Sequence, residues 1–371
     1  MFISGKKLCI LLTAIGSVLA DAKNECNFLN TLLGQEESYD CCSLGYPYIK
    51  CNKDHITYIN LNDMTITKSE FPASFGDLSQ LTVLNISNKG IKGSLPSDFE
   101  NLGSLVELNL SGNEISGEIP SNISKLTNLK TLNLSKNKIT SFPKEITELP
   151  LLTDLILNEN SIEGNIIEEV KNFKNLRVLD LGSNNLNGTI PDAIVQIKDL
   201  VKLNLSNNKL EGEIPKAIGD LSSLKYLILN KNNLSGEIPS SIEKLIMTEI
   251  DVSDNTLLYG KVPDLSYTTV NHVCKYKNTE LCFKKDSKDS KCEYENYECS
   301  NCVSNAQKDS NGICRCKENF TGIGYDSCSS ISDLDDNGLN NEKDAANFRS
   351  SFQSLTIASI IIIATYLLYL M

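Results

Sequence analysis

The sequence predicts an α/β solenoid, a stack of short coils that each contain a strand, a turn and a helical return leg. Three observations predict it. The stretch Leu200 to Ser223, LVKLNLSNNKLEGEIPKAIGDLSS, recurs from Leu81, Leu105, Leu129, Leu152, Leu176, Leu200, Leu224 and Met247, with a looser first copy near Ile56. The steps between starts are 24, 24, 23, 24, 24, 24 and 23 residues, and self-similarity at a fixed period of this length marks a repeat array. Within each copy the apolar pattern changes period, from alternation in LVKLNL to a helical spacing at Ile218 and Leu221.

Each part of the copy has a physical reason. In LVKLNL a strand points Leu203 and Leu205 inward and Lys202 and Asn204 outward. Asn208 turns the chain, and its counterparts are Asn113, Asn137, Asn160, Asn184, Asn232 and Asn255. A short amide at that place can pair with buried backbone groups of the bend and of the next coil. Gly212 allows close backbone approach, and Ile214-Pro215 begins the return leg, because proline cannot continue a central strand. One copy cannot bury its own apolar face, so the copies must stack and the ends must be capped.

The pattern LxxLxLxxNxLxGxIPxxIxxLxx resembles the plant-type leucine-rich repeat of receptor-kinase ectodomains and polygalacturonase-inhibiting proteins. The resemblance covers Cys26 to Cys282. It implies a right-handed superhelix with a parallel β-sheet on the concave face and short 3-10 or helical turns on the other. Four departures are expected to loosen the geometry locally. Met64 and Lys89 replace the turn asparagine, Ile167 replaces proline, and the copy from Leu129 lacks the glycine.

Around the array (residues 56–269) the chain divides as follows. Residues 1–20 read as a signal peptide, with Lys6 and Lys7 before the apolar run Leu8 to Leu19 and small residues at its exit. Thirteen cysteines less Cys9 leave twelve, which behind a signal peptide read as disulfides rather than metal ligands. Cys26, Cys41, Cys42 and Cys51 fall in an amino-terminal cap (21–55), where DCCSLGYPYIKC resembles the family's cap. That resemblance implies Cys26–Cys41 and Cys42–Cys51. Cys274 and Cys282, in CKYKNTELC, resemble the pair of a carboxy-terminal cap (270–285). Cys292, Cys299, Cys302, Cys314, Cys316 and Cys328 lie in a third segment (286–330), whose close CRCKENFTGIGYDSC resembles an EGF-like module. Six cysteines alone permit about 15 connectivities; the resemblance implies first–third, second–fourth and fifth–sixth.

Residues 331–354 read as an acidic, solvated stalk. Asp333, Asp335, Asn337, Gly338 and Asp344 lack the terminal glutamate and flanking helices of a calcium loop. Leu355 to Met371 is an apolar tail of 17 residues, preceded by the polar spacer Asn347 to Ser354 and by small residues at Asp344-Ala345-Ala346. That order predicts a GPI signal with attachment at Asp344, the alternative being a retained membrane-spanning helix. Both place the protein on the extracellular face of the plasma membrane.

Composition narrows the function. The net charge of −12 gives no basic face for nucleic acid. The chain has no tryptophan and two histidines, no nucleophile motif, no phosphate loop and no kinase segment, so we expect no enzyme, cofactor or metal. Asn85, Asn109, Asn122, Asn133, Asn187, Asn204, Asn233 and Asn319 head glycosylation sequons, four of them inside the strand motif. The expected function is recognition of an extracellular protein, peptide or glycan on the concave face, in concert with a signalling co-receptor. Asp154, Arg177, Asp180, Lys202, Lys225, Tyr226 and Glu249 are the candidate contacts. The alternatives are a structural wall or adhesion role and inhibition of secreted glycan-degrading enzymes.

Overall fold

The computed structural model describes residues 25–53, 55–267, 272–283 and 292–293 of one unit, and 306–308, 314–316, 320–321 and 329–330 of a second. The expected signal peptide, the expected stalk, Cys299, Cys302, Asn319, Cys328, Asp344 and the apolar tail lie outside the described residues. No helix among the described residues is long and apolar enough to cross a membrane.

The first unit is built on an eleven-stranded sheet. Its strands are β1 (Ile49–Asn52), β2 (His55–Asn60), β3 (Val83–Asn85), β4 (Glu107–Asn109), β5 (Thr131–Asn133), β6 (Asp154–Ile156), β7 (Val178–Asp180), β8 (Lys202–Asn204), β9 (Tyr226–Ile228), β10 (Glu249–Asp251) and β11 (Val273–Lys275). The strand β1 runs antiparallel to β2, and all later pairs are parallel. The central apolar residue of each strand pairs with the next, from Ile59 and Leu84 through Leu203 to Ile250 and Cys274, and each is buried. One 24-residue period therefore advances the chain by one strand with no change of register.

Beyond each turn a second set of short strands pairs along a lateral side, such as Glu211–Glu213 with Asn233–Gly236. A 3-10 turn follows, for example Asp192–Gln196 after Pro191, with the buried Ile194 facing the core. Two departures cost little here. Ile167, which stands in for proline, holds φ −72° and ψ 145°, the conformation of Pro191 (φ −71°, ψ 147°), and the turn Glu168–Asn172 forms. In the 23-residue copy from Leu129 the lateral pairing shifts register, with Glu118 meeting Ser141, and the turn Lys144–Glu148 still forms.

The asparagines fasten coil to coil. Asn184 is 8% exposed. It donates Nδ2 hydrogen bonds to Leu157 O in the preceding coil (3.1 Å) and Leu181 O in its own (3.0 Å), and its Oδ1 accepts from Ile162 N (3.0 Å). Asn113, Asn137, Asn160, Asn208, Asn232 and Asn255 repeat the arrangement. Lys89 has no such amide and instead reaches back with Nζ to Asn62 O (2.6 Å) and Met64 O (2.8 Å).

The amino-terminal cap opens with a helix over 25–33, whose Phe28, Leu29, Leu32 and Leu33 are spaced to bury one face. The helix stops at Gly34, which takes φ +68°, and a Cβ there would meet Thr67 Oγ1 at 2.5 Å. Phe28, Phe75 and Phe99 pack in a row at successive centroid distances of 5.4 Å, the first pair tilted and the second edge-to-face, joining cap to array. Glu25, 3% exposed, accepts from Ile56 N at 2.6 Å and pairs with His55 Nδ1 at 2.7 Å. The disulfides Cys26–Cys41 and Cys42–Cys51 are those that the resemblance implies.

The carboxy-terminal end differs from expectation. Cys274 bonds to Cys292, with Cα atoms 4.7 Å apart, and not to Cys282, which also overturns the first–third pairing, Cys292 with Cys302, expected of the EGF-like module. Cys274 lies in β11, whereas Cys282 lies in Glu280–Cys282 of a separate lateral sheet, so the coil itself parts them. Residues 292–293 return beside β11, where Tyr276 N donates to Glu293 O and Glu293 N to Cys274 O, both at 2.8 Å. Cys282 is also disulfide-bonded, to a cysteine whose side chain is outside the described set. In the second unit Ala306–Lys308 pairs antiparallel with Cys314–Cys316, and Phe320–Thr321 with Ser329–Ser330.

Replacing Asn184 by alanine strands three buried backbone groups. At about 1–3 kcal/mol for each, urea unfolding is expected to show a loss of roughly 3 kcal/mol or more. Lys209→Ala, at an exposed site, should change stability by less than about 0.5 kcal/mol. Non-reducing peptide mapping should recover Cys274 linked to Cys292; a Cys274–Cys282 peptide would contradict the described end.

Candidate ligand-binding face

On either side of the central apolar residue, each strand from β4 to β10 carries two side chains on the face away from the core, and register lines them up in two rows. The first row runs Glu107, Thr131, Asp154, Val178, Lys202, Tyr226, Glu249 and Val273. The second runs Asn85, Asn109, Asn133, Ile156, Asp180, Asn204, Ile228, Asp251 and Lys275. The seven candidate contacts all fall on β6 to β10 or immediately before them, on one face.

Their environments are unequal. Arg177 and Lys225 are exposed, while Asp154, Lys202, Tyr226 and Glu249 are half-buried. Asp154 Oδ2 accepts from Thr153 Oγ1 at 2.6 Å. Asp180 is not a solvated contact: it is 6% exposed. Its carboxylate takes Lys202 Nζ at 2.9 Å, Asn204 Nδ2 at 2.8 Å and Gly182 N at 3.3 Å. Burial of a charge demands this much pairing. Lys202 is thereby fixed, one third of its side chain remaining open to ligand.

Most of the second row has a local structural job. Asn109 Oδ1 accepts from Ser111 N (3.1 Å) and Ser111 Oγ (2.8 Å), closing an Asx turn where the strand ends. Asn133 with Ser135, Asn204 with Ser206 and Asp251 with Ser253 do the same. Ile156 and Ile228 cannot. They are half-buried apolar side chains set into a polar row, and the sequence reading did not single them out. Their signal was in the repeat itself, since the position between the last two leucines is asparagine or aspartate in the other complete copies. Asp251 also carries Lys275 Nζ at 3.5 Å, a second carboxylate–lysine pair on this face.

Among the described residues two clusters have metal-ligand character, Cys26/Cys41/Cys42 and His272/Cys274/Cys292, but their sulfurs are consumed in disulfides. Glu114 is held below the usual carboxylate range by its hydrogen bond from Lys138, then by the charges of Lys138 and Lys92; both side chains are exposed to solvent, so the pair adds little.

Comparison with known proteins agrees with this architecture. The leucine rich repeat family model matches residues 54–115 and 169–210, its two-copy form matches 103–150 and its single-repeat form matches 223–245, so the chain carries leucine-rich repeats. No curated protein matches the sequence. Among solved structures, the ectodomain of the Arabidopsis thaliana receptor kinase GASSHO1/SCHENGEN3, in complex with CASPARIAN STRIP INTEGRITY FACTOR 2, is 26% identical with a TM-score of 0.55. The Arabidopsis receptor kinase HAESA, in complex with the peptide hormone IDA and the co-receptor SERK1, is 25% identical with a TM-score of 0.57. A plant ice-binding protein is 26% identical with a TM-score of 0.56. Each match covers 71% of this chain; it covers 38%, 50% and 95% of the other chain, respectively. The chain thus spans half or less of the two receptor chains.

Lys202→Ala leaves Asp180 buried without its cation. Because Lys202 is partly exposed, the expected loss is discounted to about 1–2 kcal/mol. Adding Asp180→Asn, the residue that β4, β5 and β8 carry there, should return most of it in a thermal or urea melt.

Proposed function

We propose that the solenoid is an extracellular, non-catalytic recognition module that binds an extended peptide across β6 to β10. The carrying observation is the break in the polar row at Ile156 and Ile228. These residues stand three strands apart, about 14 Å at the usual strand spacing of about 4.8 Å. An extended chain rises about 3.3 Å per residue, so positions i and i+4 of one peptide reach both isoleucines from the same side. Position i+2 then faces Asp180, Lys202 and Asn204, where a polar side chain fits. Tyr226 and Arg177 flank this track and are the residue types that dominate interface energetics. The receptor kinases described above, crystallised with a peptide hormone and a co-receptor in the case of HAESA, support a peptide ligand and a co-receptor partner.

The disulfides among the described residues fit an oxidising, extracellular setting. In the same reading the tail 355–371 directs lipid attachment at Asp344, and the cysteine-rich segment 286–330 serves as a disulfide-stabilised spacer. A receptor so anchored signals through a partner with its own cytosolic domain.

A random peptide library selected on the secreted chain tests the reading. We expect enriched sequences with apolar side chains at i and i+4. The double variant Ile156→Asn, Ile228→Asn, which installs the residue found elsewhere in the row, should weaken those peptides at least about tenfold, or about 1.4 kcal/mol. Replacing Arg177 and Tyr226 together by alanine should weaken them as well. Affinity unchanged in both variants would sink this face as the binding site.

A further inference from the structure

The amino-terminal rim of the same sheet carries an aromatic pair that neither the repeat nor the proposed peptide track uses. Tyr46 is 73% exposed, its ring centroid lies 6.4 Å from that of Tyr58, and the two planes are inclined by 40°. Lys50, which pairs with Tyr58 across β1 and β2, sets its ammonium 4.7 Å from the Tyr46 ring and 5.0 Å from the Tyr58 ring. The cation occupies one face of each ring and fixes their orientation. Much of the Tyr46 ring stays open to solvent, an arrangement suited to a ligand with both an apolar face and hydroxyl groups.

One sequon lies beside this pair. Tyr58 is paired with Val83 and Asn60 with Asn85, so Asn85 is one strand and two residues from Tyr58, about 8 Å by strand spacing and rise. The first sugars of an N-linked chain cover that distance. Asn85 is also the least engaged of the four strand sequons. Its Oδ1 accepts only from Ser87 N, at 3.3 Å, because Ser87 Oγ donates instead to Asn62 Oδ1 at 2.7 Å. In Asn109, Asn133 and Asn204 the serine hydroxyl closes onto the asparagine itself, and Asn204 Nδ2 is further committed to Asp180. The Nδ2 of Asn85 donates no hydrogen bond among the described residues.

We infer that Asn85 carries an N-linked glycan whose first sugars lie on the Tyr46–Tyr58 pair. The pyranose C–H face covers the open ring surface while the sugar hydroxyls and N-acetyl group remain among Asn60, Asn62 and Thr82. The glycan thus closes the amino-terminal rim and leaves the face from β6 onward to other ligands. The inference rests on the extracellular reading, since the sugar is added in the secretory lumen.

The test uses the full chain secreted from a eukaryotic host. Site occupancy is read by mass spectrometry after peptide-N-glycosidase treatment in heavy-oxygen water, and release rates are then measured on the native protein. We expect sugar at Asn85, released at least tenfold faster in a Tyr46→Ala, Tyr58→Ala variant. Release at Asn187 and Asn233, which are exposed on the lateral strands, should be unchanged and reports an intact fold. Equal release rates at Asn85 in both proteins would overturn the inference, as would an empty Asn85 beside occupied Asn187 and Asn233. Sequons empty throughout would overturn the extracellular reading along with it.

Discussion

Each coil is fastened to the one before it through a single buried amide. The turn asparagine satisfies a carbonyl of its own coil, a carbonyl of the preceding coil and an amide N–H of that same coil, all out of reach of water. A buried backbone group without a partner is destabilising by an amount comparable to a whole hydrogen bond. This geometry also dictates the residue before the asparagine, which is driven into the left-handed region at Lys136, Glu159, Ser183, Asn207, Lys231 and Asp254. Left-handed backbone is unfavourable for a lysine or glutamate by roughly 1–2 kcal/mol. The array accepts that at successive coils because the alternative is three unpaired groups per coil.

The same fastening makes the sheet a useful surface. Register that never slips places every outward side chain at a fixed offset from its neighbours, so the face is organised before any ligand arrives and little ordering entropy remains to be lost on binding. Asx turns then tie down most of the second row. What is left free to vary is narrow: the charges around Asp180 and Lys202, the two isoleucines, and the side chains of the first row. In the proposed function, recognition is therefore written in the positions that the repeat does not need for its own stability.

The array was legible in the sequence because its signals are redundant. Leucines at fixed offsets, the turn asparagine and the Ile-Pro step each recur, so losing one, as at Ile167 or Lys89, leaves the rest intact. The amino-terminal disulfides were legible only through the resemblance of DCCSLGYPYIKC to the family's cap, since four cysteines alone leave the pairing open. Other features left no such trace. The lateral strands are built from mixed polar residues around Gly212 or Gly236, without alternation to mark them. The left-handed position accepts lysine, glutamate, serine and asparagine alike, so no residue type announces it. Cys274 prefers Cys292 to the nearer Cys282 because residues 292–293 fold back as one more pairing on β11, a long-range event that spacing does not encode. Asp180 and Lys202 were each visible as outward residues, but that one buries the other depends on strand-to-strand contact 22 residues apart.

The central claim is that ligand binding uses the exposed rows of β6 to β10. The most direct measurement is amide hydrogen exchange across the whole solenoid, with and without a saturating peptide selected on it. The account predicts slowed exchange confined to residues 153–156, 177–180, 201–204, 225–228 and 248–251. Slowing along the lateral strands at 185–187, 211–213 and 233–236, with none on the rows, would contradict it.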